Sequence, residues 1–212
     1  MPRQVDHEGR RRLIAEAVCA LADESGLEGV TLRDVADRAR VSMGAVQRCF
    51  RTKEEMLLFA LAHVGDRIGE RVRARLVRSP ARSAGTALGH AATELALLRE
   101  EHRAEARVWL AFLAQAAVSE PLARAVRANY AALQDVFTRL VAEAAGDAVG
   151  DAAGDAAGGA AALPDPARAA RTLLALADGL TAHVLIGHLT ADQAQDVLHA
   201  HLTALWEGAN TP

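Results

Sequence analysis

Disulfide chemistry has almost nothing to work with in this chain, which holds two cysteines, Cys19 and Cys49, in 212 residues. Two thiols are too few for a disulfide framework and their spacing fits no zinc pattern, so both are expected reduced and at least half-buried. Of the eight histidines, His183 with His188 and His199 with His201 have spacings that do not converge on one metal, and neither a metal site nor a cofactor is expected. Aromatic residues are scarce too, at 3% against 51% hydrophobic content, so the apolar material is mainly Ala and Leu, as in an ordinary globular helical protein. No stretch reaches the roughly 18 to 20 uninterrupted apolar residues of a membrane span. The opening MPRQVDHEGRRR has no apolar core of signal-peptide length, and a cytoplasmic protein with no membrane partner is expected. Runs of alternating β-branched residues are missing, which points to an all-α fold. So are a phosphate-cradling Gly loop, an HExxH pair, a nucleophile elbow and a Glu-x-x-His pair, and an enzyme is not expected.

The net charge of −3 is small but uneven: residues 1–53 carry 10 Lys and Arg against 8 Asp and Glu, and the rest 14 against 19. The amino-terminal quarter is the only part with a positive balance, a weak pointer to nucleic acid by itself. Its helical periods are clear. A first helix from about Gly9 to Asp23 buries Leu13, Ile14, Ala17, Val18 and Leu21 and stops at Ser25-Gly26. Thr31 starts a second, in which Leu32, Val35, Ala36 and Ala39 share one face. Ser42 caps a third, with Val46 and Phe50 inward and Met43, Gly44, Gln47 and Arg48 outward. Thr52 and Glu55 form a capping box that opens a fourth helix, about 53–77.

Two short helices joined by Arg40-Val41-Ser42 have the spacing of a helix-turn-helix, whose second helix enters a major groove about 12 Å wide. Gly44 would then let the backbone approach DNA closely, with Gln47 and Arg48 reaching base edges or phosphates. An αα-hairpin with a polar exterior has the same spacing.

The stretch VTLRDVADRARVSMGAVQRCFRTKEEML resembles the DNA-binding signature of the tetracycline-repressor (TetR) family. The likeness covers residues 9–60 closely and the remainder in helical layout. It implies that Arg33, Ser42, Met43, Gly44, Ala45, Gln47 and Arg48 form the DNA surface and that Thr31 and Lys53 hold phosphates. The sequence departs from the common pattern at Gln47, where Tyr is frequent, and at Cys49, where His or Tyr is frequent. REEHRAEARVWLAFLAQAAVSEPLA and ALADGLTAHVLIGHLTADQA further resemble the carboxy-terminal type of betaine-pathway regulators.

Five more helices are expected, at about 83–99, 101–118, 121–144, 166–188 and 191–207, about nine in all. The Gly-Asp-Ala-x repeat within 146–165 has no large apolar side chain other than Val149 to build a core and reads as a flexible loop. Domain limits follow: 1–53 for DNA binding, 54–212 for effector binding and dimerisation. Trp109, Phe112 and Leu113 form one apolar stripe and Tyr130 and Phe137 another, while Gln115, Asn129, His63 and His183 would need partners if buried. These nine are the expected effector contacts, although plain core has the same pattern. The last two helices are apolar on more than one face, as an interface or a central core helix would be. The family dimerises there, which implies Leu180, Val184, His188, Leu198, Leu202 and Leu205 at a homodimer interface. Arg67, Arg71, Arg75 and Arg78 read as a solvated stripe. The expected protein is a ligand-responsive dimeric repressor on a palindromic double-stranded DNA operator, released by a small-molecule effector; a helical protein-interaction module is the alternative.

Overall fold

Helix-start chemistry places most of the elements. The computed structural model describes residues 7–78, 83–152 and 165–207, with only the backbone of 147–152 and 206–207. Among the described residues there are nine α-helices, one 3-10 turn at Glu100–His102 and no strand: α1 (His7–Ser25), α2 (Leu32–Arg38), α3 (Met43–Cys49), α4 (Lys53–Arg78), α5 (Ala84–Leu95), α6 (Arg103–Ala116), α7 (Glu120–Ala152), α8 (Pro166–Leu185) and α9 (Ala191–Glu207). The all-α expectation holds. The capping hydroxyls of Thr31, Ser42 and Thr52 accept the N–H of Asp34, Ala45 and Glu55 at 3.2, 3.2 and 3.0 Å. Asp165 caps α8 by accepting from Ala167 at 3.0 Å, with Pro166 in the first turn. Each such cap contributes about 1 kcal/mol.

The chain divides into two compact units: Met1–Arg67 with Arg103–Arg127, and Ile68–His102 with Ala128–Pro212. In the first, α1 packs on α2 and α3 and along α6. Its centre is Ile14, Val18, Val35, Val46, Phe50, Met56 and Leu61, each 1% exposed or less. Burying a side chain of this kind contributes roughly 1.5–3 kcal/mol, so the two short helices are held by packing rather than by their own propensity. Leu13 corrects the expected core: it is 43% exposed, because the buried stripe of α1 runs through Ile14, Ala15, Ala17, Val18 and Ala22. Arg107 on α6 pairs with Asp23 on α1 at 2.5 Å.

In the second unit α5 packs on α8 and α9 around Leu88, Phe137, Val141, Leu173 and Leu198. The buried hydroxyl of Thr181 on α8 donates to the Ala96 carbonyl at 2.7 Å, satisfying the end of α5. That end comes earlier than the expected 99, since Leu97 takes a left-handed conformation (φ 48°) that a helix cannot continue through. The helix expected over 121–144 instead runs to Ala152. Alanine is the best helix former, and Ala144 and Ala145 are buried, which favours the extension against the roughly 1 kcal/mol cost of each of Gly146 and Gly150. The first part of the segment expected to be a flexible loop at 146–165 is therefore helical, and 153–164 lies outside the described residues.

The arginine stripe of α4 is not simply solvated. Arg67 lies 3.4 Å from the buried Glu105, and Arg71 lies 3.9 Å from Glu94, which Arg99 also meets at 3.4 Å. Burying a carboxylate as deeply as Glu94, at 4% exposure, is unfavourable without such partners.

Candidate nucleic-acid interface

The turn between α2 and α3 is closed by two backbone bonds, Val41 N–H to Ala36 O at 3.0 Å and Arg40 N–H to Asp37 O at 3.2 Å. This is the six-to-one, five-to-two pattern of a Schellman cap, and it requires the left-handed φ of 54° found at Arg40. Arg38 forks onto Glu24 of α1, at 2.9 and 2.6 Å. The fork ties the end of α2 down, and hydrogen bonding from Arg38 holds the Glu24 carboxyl below its usual range.

With α2 fixed, α3 turns one face into the core and one out. Val46 and Phe50 are buried as expected, at 0% and 1% exposure. Ser42, Met43, Gln47 and Arg48 are exposed and Gly44 is half-exposed. Ala45 corrects the expectation: at 6% exposure its methyl group faces the core, one helical position from Val46, so it is part of the packing under the outward surface. A Cβ placed at Gly44 would meet only Arg48 Nη1, at 3.5 Å, which is ordinary contact. Nothing among the described residues asks for a glycine there.

Arg33 is exposed on α2, and Lys53 is half-exposed at the first position of α4. Thr31 is exposed, but its hydroxyl is occupied twice: it accepts the Asp34 N–H and donates to the Asp34 carboxylate at 2.6 Å. A phosphate at this helix start would have to displace that carboxylate. Glu55 departs from the expected reciprocal capping box, since its Oε2 accepts the N–H of Arg51 at 2.8 Å, one residue before the cap.

The nine expected effector residues divide between the units: His63, Trp109, Phe112, Leu113 and Gln115 in the first, Asn129, Tyr130, Phe137 and His183 in the second. Trp109, Phe112 and Phe137 are buried, at 7%, 0% and 3%. His63, Leu113, Gln115, Asn129 and Tyr130 are half-buried, and the ring Nε2 of His63 is shielded with no hydrogen-bond partner among the described residues. His183 is exposed and meets the ring of His188 edge-on at 4.9 Å, so it has no need of a buried partner. The sequence missed the partner of Tyr130, which donates a short hydrogen bond to Asp178 of α8. Burial and Asp178 together raise the Tyr130 pKa. The first unit also has a groove of about 260 Å³ between α1, α4 and α6, lined in part by Cys19, Glu16, Val64, Arg67, Glu105 and Val108. Burial pushes the Cys19 thiol up to about 11, which keeps it protonated and unreactive.

Two of the six expected interface residues are corrected. Leu180 and Leu198 are 5% and 0% exposed in the single chain and belong to the core of the second unit. Val184, Leu202 and Leu205 are partly buried against that core, and His188 is exposed. Among the described residues, the large apolar side chains left exposed along α8 and α9 are Ile186, just past the end of α8, and Val197, at 76% and 43% exposure. Periodicity alone marks a helix as apolar on two sides without saying which side its own chain covers.

Comparison with known proteins bears on both parts of the chain. Residues 14–59 match the family model described as bacterial regulatory proteins of the tetR family. Residues 84–207 match the model described as the C-terminal part of BetI-type transcriptional repressors. Among curated proteins, the chain is 37% identical over 118 residues to the HTH-type transcriptional regulator PksA of Bacillus subtilis, covering 55% of this chain and 56% of that one. It is 41% identical over 71 residues to the repressor KstR of Rhodococcus jostii, covering 34% of each. The chain thus spans about half, or a third, of the length of these relatives. A crystal structure of a transcriptional regulator from Rhodococcus sp. Rha1 superposes with a TM-score of 0.77 at 29% identity, covering 95% of this chain and 98% of that one. A regulator from Saccharomonospora viridis, solved in complex with choline, has the same fold at a TM-score of 0.76 and 22% identity, covering 92% and 96%.

Proposed function

The chain belongs to the TetR family of bacterial regulatory proteins, and from that premise we propose that it is a cytoplasmic, homodimeric transcriptional repressor. It reads a palindromic double-stranded operator with α3 and leaves it when a small molecule binds the carboxy-terminal part. The observation that carries the proposal is Gly44: the fold accepts a side chain there, so the reason for its absence lies outside the protein, in close approach to DNA. Gln47 and Arg48 flank it on the exposed face and read base edges. Arg33, Ser42 and Met43 extend the surface, Lys53 holds a phosphate, and Thr31 does so only once Asp34 gives way. Ala45 packs beneath them.

One recognition helix gives little affinity, so two copies on half-sites about 34–36 Å apart are required. The dimer forms through the open side of α8 and α9, with Val184, His188, Leu202 and Leu205 joined by Ile186 and Val197. Release requires an effector that binds the DNA-incompetent arrangement more tightly, since equal affinity for both arrangements shifts nothing. Trp109 and the half-buried polar groups Gln115 and His63, all in the first unit, are the proposed contacts. Choline, the ligand of the Saccharomonospora neighbour, is the first compound to test.

The deciding experiment is selection of genomic fragments by the purified protein at low ionic strength, followed by footprinting. A protected palindrome of two half-sites supports the proposal. Failure to enrich any duplex would overturn it and leave a helical interaction module.

A further inference from the structure

Three arginines, Arg10, Arg11 and Arg12, stand in a row on α1, and the last two make different contacts. Arg12 meets Glu8 in an exposed pair at 3.6 Å. Arg11 turns inward: its side chain is 26% exposed and its guanidinium lies 4.7 Å from the ring centroid of Phe50 and 4.4 Å from that of Phe59. The two rings sit 5.5 Å apart, tilted by 55°. Its Nη2 is 3.7 Å from Glu55 Oε1, and its Nε is buried with no hydrogen-bond partner among the described residues. Burying a guanidinium nitrogen without a partner is unfavourable, and the arrangement persists because two aromatic faces and one carboxylate hold the group.

These contacts share one location. Phe50 caps the end of α3, Phe59 lies in the second turn of α4, and residues 50–52 connect the two helices. Glu55 accepts the Arg51 N–H of that connection at 2.8 Å and gives its own N–H to Thr52 at 3.0 Å. Aliphatic packing tolerates small rotations, whereas a planar cation over two ring faces fixes the direction of both.

Resting on the proposal that α3 reads DNA, we infer that Arg11 is a positioning residue: its guanidinium, gripped by Phe50, Phe59 and Glu55, sets the direction of α3 and of the α4 start without touching DNA. Arginine is needed rather than a positive charge, because a lysine ammonium is a point charge that cannot cover two rings while meeting a carboxylate.

The test uses the full-length protein carrying Arg11→Lys or Arg11→Met, with the wild-type operator and a scrambled duplex. Both variants should bind the operator about tenfold more weakly, the low end of losing one base contact. Binding to the scrambled duplex at low salt, and the slope of log affinity against log salt, should stay at wild-type values. Hydrogen exchange at the Arg51 amide should quicken, while the amides of α2 keep their protection. Unchanged operator affinity would overturn the inference. So would a salt slope reduced by about 1, which marks a phosphate ligand, or equal losses on both duplexes tracking a fall in folded protein. If the wild type binds no duplex the DNA reading fails, and the Arg51 exchange rate alone then decides whether Arg11 fixes the connection.

Discussion

Arg40 and Gly187 hold the same place in the same capping motif, one with a side chain and one without. Behind Arg40 the bonds run Val41 to Ala36 and Arg40 to Asp37; behind Gly187 they run His188 to His183 and Gly187 to Val184, at 2.9 and 3.1 Å. Their φ angles are 54° and 73°. Left-handed backbone costs a residue with a Cβ roughly 1 kcal/mol, and glycine nothing. Arg40→Gly is therefore expected to raise the thermal midpoint by about 2–4 °C, followed by circular dichroism. An unchanged or lower midpoint would mean that the Arg40 side chain makes interactions that outweigh the strain.

Gly44→Ala should separate folding from recognition. The added methyl has ordinary contact with Arg48 and nothing tighter, and alanine favours a helix by up to about 1 kcal/mol. Stability should hold or rise while operator affinity falls. Gln47→Ala and Arg48→Ala should cost about 1–3 kcal/mol on the operator and relax its sequence preference, whereas Lys53→Ala should weaken all duplexes alike and lower the salt slope by about 1. Titrations at several salt concentrations check all four; a Gly44→Ala protein that binds like wild type removes the close-approach argument.

These expectations rest on elements that local pattern revealed. The caps at Thr31, Ser42, Thr52 and Asp165 and the inward pair Val46 and Phe50 stand where their spacing put them, because caps and helical stripes depend on neighbours within a turn. What escaped depends on distant chain segments. The depth of Leu180 and Leu198 is set by α5, the role of Arg67 by Glu105, and the grip of Arg11 by the rings of Phe50 and Phe59, far along the chain. Leu13 lay one position off the true stripe. For Arg67 and Arg71 the available hint was composition: acidic residues at Glu94 and Glu105 inside apolar helical faces call for cations.

Acid should weaken the fold through His102. The ring is buried beside Arg71, Glu94, Arg99 and Glu101; burial first and Arg71 next lower its pKa from 6.5, against the opposing pull of the two glutamates. A histidine whose folded pKa lies below its unfolded one leaves stability at its full value above pH 6.5. Stability then declines as pH falls toward and through the folded value. Urea unfolding at a series of pH values should show this decline in the wild type and a flatter profile for His102→Gln. Parallel profiles would assign the acid sensitivity elsewhere.

Tyr130 is the chain's one tyrosine, so its ionisation is readable without interference. Burial and the bond to Asp178 raise its pKa, and tyrosinate absorbance should stay flat through pH 10 and appear only with alkaline unfolding. Tyr130→Phe leaves the Asp178 carboxylate short of a donor and should destabilise by about 1.5–3 kcal/mol in urea. A titration near pH 10 in the folded protein would show that the hydroxyl is open to solvent.

The ion pair from Arg107 to Asp23 and the run of α6 along α1 have a practical consequence for anyone building chimaeric sensors. A fusion that cuts after α4 begins would discard the strut that runs along α1 and open the side of α1 that carries Glu16, Cys19 and Ala20 to water. Grafting this reading head onto a foreign sensor therefore means transplanting Arg103–Ala116 with it, or redesigning the uncovered side of α1 with polar residues.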